Sequence, residues 1–294
     1  MLFTSQPRTP SVDGLDIDRY DASVLTPAGS SRRARREHAA RVALVHAVDE
    51  RLGDVLRAGE VVQHLAVGTL ASELEFLMLG GLVDLTARTV MVITSNRIVM
   101  LQVDRRNRPR HTMAQVRHEY ITRAASTRDG ALRVHLVNGE TLTLHKAGRE
   151  LNRSMRDVIN TLACPRTVDG GEAVVCPLCP SCGTAASDTT DSCRGCGAAF
   201  MPRHTAGALS LLCPGLGELY AGYRAMGVFA IVATVGMWGL WISRVAHEPT
   251  KMNVMLGLMA AWHVVSGTIT WNATRAGRRL QSSAWRGPRV FGTR

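Results

Sequence analysis

What this chain lacks narrows the possibilities before anything it contains. No nucleophile with a paired base, no acid–base pair and no phosphate-cradling loop stands out along it, so no enzymatic activity is expected. Its first residues, Met1 to Ser11, show no basic stretch followed by an apolar one and do not read as a secretory signal. Formal charge is nearly missing between Thr205 and Ala273, where only Glu218, Arg224, Arg244, Glu248 and Lys251 carry any. A membrane segment requires such a gap. In a chain of 294 residues it favours one soluble region plus a membrane unit over two ordinary soluble domains.

The net charge of +11 comes mainly from arginine and concentrates at Arg32 to Arg36, Arg105 to Arg110 and Arg275 to Arg294. Runs of this kind bind nucleic acid, face anionic lipid or are simply solvated. Two of them lie outside any folded pattern and one abuts an apolar stretch, which puts lipid or solvation ahead of nucleic acid. Five of the seven cysteines fall between Cys176 and Cys196 in Cys-x2-Cys spacing. That spacing suits metal binding in a reducing compartment, so the soluble part is expected in the cytosol.

Residues 1–34 mix Pro, Ser, Asp and Arg without apolar periodicity and read as a disordered basic tail. Over 35–58, Val42, Val45, Val48, Leu52 and Val55 recur at steps of three and four, the stripe of an amphipathic helix. The period then changes. Val90 to Ile93 and Ile98 to Val103 flank the polar Thr94-Ser95-Asn96-Arg97, as two strands around a turn do. Leu132, Val134 and Leu136 alternate up to Asn138-Gly139, and Leu142 and Leu144 alternate after it. Asn-Gly is a strong hairpin signal, with both turn residues expected at positive φ. Leu151, Met155, Val158, Ile159 and Leu162 give a closing helix its apolar face.

This order, with Gly59-Glu60-Val61-Val62 opening the first strand and Val92 to Val99 in the middle, resembles the bacterial pleckstrin-homology-like domains. The resemblance covers about 59–164, with Ser95-Asn96 standing where Asp-Arg is usual. It implies an antiparallel β-roll closed by a C-terminal helix. In such a domain the loop carrying Arg105, Arg106, Arg108 and Arg110 is a candidate contact for lipid head groups, or a solvated connection between strands.

After a linker at 165–175, Cys179-Pro180-Ser181-Cys182-Gly183 and Cys193-Arg194-Gly195-Cys196-Gly197 form two knuckles, each offering two thiolates. Glycine follows the second cysteine of both, where the chain must turn sharply. Cys176 makes a competing pair with Cys179, but no glycine would close that knuckle; exchange between the two registers stays open. A redox dithiol at Cys176 to Cys179 lacks the βαβ setting it needs. Residues 176–200 resemble the short zinc ribbons of many bacterial membrane proteins, which implies a structural zinc on Cys179, Cys182, Cys193 and Cys196. A segment so small and poor in apolar residues needs metal to fold.

The last region, 205–274, reads as a membrane domain with spans at 225–245 and 252–272, each long enough for about 30 Å of hydrocarbon. Residues 206–222 are apolar but short and run into Pro214, Gly215, Gly217, Glu218, Tyr220 and Gly222, so a half-helix or re-entrant segment is expected, with whether it crosses left open. Gly215 to Gly222, followed by Gly227, resembles the glycine-tyrosine signature of the TM-two family of paired-helix membrane domains. That family often has His or Gln at the Glu218 position. An Asp-Arg-Phe motif common in it is missing here, which leaves no basis for carrying over a receptor-like role. Glu218 reads as an interfacial cap ahead of an ion-path carboxylate, and His263 as hydrogen-bonded to a neighbouring helix ahead of a proton relay. Six arginines after Ala273 hold the 275–294 tail in the cytosol.

The fold class expected is multi-domain α+β: a pleckstrin-like antiparallel roll, a four-cysteine zinc ribbon and a helical transmembrane hairpin with a re-entrant segment. The function expected is a non-enzymatic membrane-anchored adaptor or sensor in the inner membrane, multi-pass with both termini cytosolic. Membrane lipids and an unidentified protein are its expected partners. The alternatives are a membrane-associated nucleic-acid-binding protein and a small channel or transporter using Glu218 and His263.

Overall fold

The computed structural model describes residues 15–26, 30–73, 76, 87–166, 173–186, 190–201, 203–221, 223–245 and 249–275. They form two compact units, one from the chain up to Glu73 with Arg88–Arg110 and Gln115–Cys176, the other chiefly from Pro177 onward. In the first unit, helix α1 (Ala22–Leu25) precedes α2 (Arg32–Gly53). The stripe Val42, Val45, Val48, Leu52 and Val55 is buried throughout. The helix starts at Arg32 rather than at 35, because the Ser31 hydroxyl accepts the Ala34 N–H at 3.1 Å and caps its first turn. It stops at Gly53, short of 58.

The disordered tail expected over 1–34 is corrected in its described part. Asp21 caps α1 by accepting the Ser23 N–H, and Tyr20 is buried, donating its hydroxyl to Asp49 at 2.6 Å. Arg41 donates to the Ser23 carbonyl, and Tyr20 bridges Val62 in parallel. None of this has a period. It is tertiary contact that orders the segment, and pattern reading cannot see it. Residues 1–14 and 27–29 lie outside the described residues.

Seven strands follow: β1 (Val62–Leu70), β2 (Arg88–Thr94), β3 (Arg97–Val103), β4 (Pro109–Arg117), β5 (Ile121–Ser126), β6 (Leu132–Leu136) and β7 (Thr141–His145). Their order in the sheet is β5-β6-β7-β1-β2-β3-β4. The registered pairs β1–β2, β2–β3, β5–β6, β6–β7 and β1–β7 are all antiparallel. Strand β1 pairs with β2 along its length but with β7 only through Thr69 and Leu70, so the two hairpin groups share one long strand. Helix α3 (Arg149–Leu162) closes the unit against β5, β1, β2 and β6, with Met155 and Ile159 buried beneath it. This is an antiparallel sheet with helices, as the sequence implies. At Asn138-Gly139, only Gly139 has positive φ; the Asn138 side chain instead accepts the Glu140 N–H at 3.1 Å. The side chain thus makes locally the bond that a two-residue primed turn would not need.

Gly59-Glu60 and Thr94 to Arg97 meet inside this unit. The Arg97 guanidinium grips the Glu60 carboxylate with two bonds, Nε at 2.9 Å and Nη2 at 2.7 Å, and both side chains are buried. The Thr94 hydroxyl and the Arg57 N–H also donate to that carboxylate, at 2.6 Å and 2.9 Å. Arg97 spends its remaining donors on the Gln115 side chain and the Val55 carbonyl. Burial alone would raise the Glu60 pKa, but Arg97, Arg57 and Thr94 hold it below the usual carboxylate range. Glu60 and Arg97 thus form a buried ionic clasp that ties the α2–β1 connection to the start of β3.

Two buried histidines contribute to the pH dependence of the unit. His64 is buried on β1 with Nε2 2.9 Å from the Ser154 hydroxyl, and burial, reinforced by the charge of Arg41, brings its pKa down to about 4. His118 is lowered by burial too, although the Thr94 carbonyl and Glu60 oppose the shift. Each folded pKa lies below the unfolded value near 6.5, so the unfolded chain binds more protons. The stability these groups give is complete above about pH 6.5 and is lost as pH falls toward the folded pKa. Circular dichroism of urea unfolding should show the midpoint dropping from pH 6.5 to pH 4. A His64→Gln variant should flatten the drop, and an unchanged slope would exclude His64 as its source.

Candidate functional site: a four-cysteine metal centre

In the second unit the two knuckles face one another. Isolated bridges Leu178 to Ala185 and Ser192 to Ala199 close each one at its base. Within the first, Cys179 N–H donates to the Thr184 carbonyl at 2.8 Å and Gly183 N–H to the Cys179 carbonyl at 2.9 Å. Within the second, Cys193 N–H donates to the Ala198 carbonyl at 2.9 Å and Gly197 N–H to the Cys193 carbonyl at 2.9 Å. Gly183 and Gly197 have φ of 68° and 69°, which is why glycine must follow the second cysteine of each pair. Cys179, Ala186, Cys193 and Phe200 make a small buried core, with Cys182 and Ala198 packed against it.

The ligand atoms of Cys179, Cys182, Cys193 and Cys196 all lie within 4.8 Å of one another. Sulfur–sulfur distances are 3.7 Å for Cys179 to Cys196 and 3.5 Å for Cys182 to Cys193. Zinc–sulfur bonds of about 2.3 Å at tetrahedral angles hold sulfurs about 3.8 Å apart, so the set matches what a tetrahedral ion needs. Ser181 N–H points at the Cys179 sulfur at 3.4 Å and Gly195 N–H at the Cys193 sulfur at 3.3 Å. Such amides stabilise a thiolate or a metal–thiolate bond. Burial drives the Cys179 and Cys193 thiols upward. At Cys182 burial is outweighed by bonds from Thr184 and the neighbouring thiols, which hold it down to about 7. Four thiols this close cannot all ionise without a cation among them. Cys176 stands outside the group in the short strand Cys176–Leu178.

Thr184, whose hydroxyl lies 3.2 Å from the Cys182 sulfur, was missed by spacing arguments because it is no ligand. Its signal is position alone, two residues beyond the second cysteine.

After the knuckles come α4 (Arg203–Leu212), α5 (Leu216–Tyr220), α6 (Arg224–Leu240) and α7 (Pro249–Arg275), with α6 prolonged by a π-helical turn, Trp241–Val245. The 206–222 segment is thus two helices around a Cys213-Pro214-Gly215 turn rather than one half-helix. Pro214, Gly215 and Gly217 are buried and Tyr220 is half-buried, while Gly222 lies outside the described residues. A side chain at Gly217 would strike the Ala206 carbonyl and the Ser210 hydroxyl, and one at Gly227 would meet Leu219 at 2.5 Å. Glycine at these two places lets helix backbones touch.

Glu218 caps α5 by accepting the Gly215 N–H at 3.1 Å, yet it is buried, which corrects its placement at a wet interface. It also accepts the Ser210 hydroxyl at 2.6 Å from α4 and the Ser266 hydroxyl at 2.9 Å from α7. Ser210 in turn lies 2.9 Å from the Thr270 hydroxyl. Ser210 and Ser266 were missed as its partners, and Thr270 behind Ser210, although Ser266 and Thr270 sit one turn apart and so share a helix face. His263 has Nδ1 2.8 Å from the Leu211 carbonyl, and Trp262 donates to the Thr234 hydroxyl at 3.0 Å. Among the described residues one helix, Met226–Ser243, is long and apolar enough to cross a membrane.

In the first unit, Arg105, Arg106 and Arg108 are exposed on the β3–β4 loop and Arg110 is half-buried. Asp104 accepts the Arg106 and Arg108 N–H groups at 2.7 and 2.9 Å, fixing the loop. The segments 167–172 of the linker, 246–248 of the interhelical loop and 276–294 of the tail lie outside the described residues.

No protein-family model matches the chain, and no curated protein matches it. Among solved structures, it is weakly similar to the DH/PH domains of a p115-RhoGEF point mutant: 13% identity and TM-score 0.28 over 51% of this chain and 39% of that one. An N-terminally truncated linker-DH/PH form of p115-RhoGEF gives 10% identity and TM-score 0.28 over 47% of each. The chain thus spans less than half the length of either, and likeness at this level says nothing about activity.

Proposed function

We propose that this protein is a membrane-anchored binding module: a pleckstrin-like sheet domain and a structural zinc centre held at the cytosolic face of the inner membrane. It recruits a protein partner or meets lipid there and catalyses nothing. The observation that carries the reading is the surface of α6. Only 17% of the Met226–Ser243 window is buried, and Val228, Phe229, Val232, Val235 and Leu240 face outward. The core helix of a soluble protein buries its apolar side chains; hydrocarbon is the solvent that suits this one. Val254, Leu256, Leu258, Val264 and Val265 give α7 a similar exterior, which supports it as the second crossing. Ser266 and Thr270 of α7 point the other way, into the Glu218 cluster, as intramembrane polar groups do.

Two crossings with the zinc centre inside put both termini in the cytosol, and the basic loop at Arg105 to Arg110 then has anionic head groups within its reach. A phosphatase or fluorescent reporter fused after Arg294 tests the whole arrangement. The fluorescent form is expected to be active and the exported phosphatase silent, with the protein staying in the membrane pellet through alkaline carbonate. Release by carbonate, or an active phosphatase, would defeat it.

A further inference from the structure

The sheet of the first unit ends at β5, and among the described residues no strand pairs with its outer edge. Alternation along an antiparallel strand sends the N–H and C=O of every second residue outward. At the middle of β5 both outward groups of Ala124 are taken by one side chain. The Ala124 N–H donates to Asn160 Oδ1 at 2.7 Å, and Asn160 Nδ2 donates to the Ala124 carbonyl at 3.1 Å. The asparagine amide presents one donor and one acceptor side by side, as a peptide group does. Asn160 on α3 therefore makes the two bonds that a directly opposed residue of a neighbouring antiparallel strand would make. Near the end of the strand Ser126 donates its hydroxyl to the Asn152 carbonyl of the same helix at 3.4 Å.

We infer that Asn160 is a plug on a self-complementary edge, and that without it β5 pairs with β5 of a second copy of this chain. The occupant follows from the sequence of the strand. In an antiparallel pairing centred on Ala124, each Arg123 faces Ala125 of the second copy and each Thr122 faces Ser126, so no like charges oppose one another. The pairing is isologous and closes on itself as a two-fold dimer. Asn160, Thr122 and Arg123 are exposed, whereas Ala124 is buried against α3, so the second copy takes the place of the end of that helix once the amide no longer pins it there. An unpaired edge of this kind is a standing template for association, and proteins guard against it.

The test is the particle mass of the full chain in detergent, by light scattering after gel filtration. Asn160→Ala should form particles of twice the unmodified mass, increasingly so with concentration. Adding Ser126→Pro, which deletes the N–H that would bond the second copy's Thr122, should return the mass to that of the unmodified chain. An unchanged mass in folded Asn160→Ala overturns the proposal, as does doubling that survives Ser126→Pro. If Asn160→Ala does not fold, Asn160→Asp decides: it keeps the acceptor, loses the donor, and should dimerise in part, with unchanged mass again overturning the idea.

Discussion

Replacing Cys193 with serine, or stripping metal with a strong chelator, is expected to unfold residues 176–200 and leave the sheet unit intact. The reason is the size of the knuckle core, which is little more than Ala186, Phe200 and two of the thiols. Burying so few side chains falls well short of the entropic cost of ordering the segment. Bound metal adds the free energy on which small modules of this kind depend to fold. Purified protein should hold about one zinc per chain under reductant, with none in Cys193→Ser. Proteolysis should then cut between Cys176 and Phe200 in the variant and in chelated protein, but not in the loaded form. Less than half an equivalent of zinc, or a protease pattern indifferent to chelation, would remove the metal from the account.

The second large effect is expected from the Glu60–Arg97 clasp. Glu60→Met leaves a buried guanidinium with only the Gln115 side chain and the Val55 carbonyl as acceptors, and Arg97→Met leaves a buried carboxylate with Thr94 and Arg57. Removing one partner of such a pair costs about 3–5 kcal/mol, because an uncompensated charge stays in the interior. Against a total stability of about 5–15 kcal/mol, either change brings the sheet unit near unfolding. Removing both partners, as Glu60→Met with Arg97→Met, should cost clearly less than the two singles added together. Urea unfolding followed by circular dichroism gives all four corners of this cycle. Singles costing under about 1 kcal/mol, or strict additivity, would mean that the clasp is replaceable by ordinary packing.

What could be read from the sequence is what local chemistry dictates. Asn138-Gly139 marked the β6–β7 hairpin, and the stripe of α2 placed Val42 to Val55 in the core. Paired Cys-x2-Cys steps named the sulfurs that the fold assembles, since a knuckle of five residues contains its own geometry. What escaped depends on partners far along the chain. Tyr20 is ordered by Asp49 and Val62, and nothing near Tyr20 announces either. Glu218 was singled out as unusual, but its hydroxyl partners lie eight and forty-eight residues away on two other helices. The glycines around it were legible as a motif. Their use became clear only with the helix backbones that they admit, and the exclusion of a single half-helix at 206–222 came from the turn at Pro214.

The two knuckles are also a repeat. Advancing fourteen residues carries Cys179 onto Cys193, Cys182 onto Cys196 and Gly183 onto Gly197, and the same step carries the Ala186-to-Pro177 hydrogen bond onto that from Phe200 to Asp191. The centre is thus a tandem repeat within one chain, and neither half has a complete ligand set or core. The repeat is inexact, and one difference touches a ligand: the Thr184 hydroxyl lies 3.2 Å from the Cys182 sulfur, whereas its counterpart Ala198 has no hydroxyl. That difference gives the two halves unequal grip. The Cys193–Cys196 half should be the first to let go when metal leaves, and the Cys179–Cys182 half should be the seed on which reassembly starts.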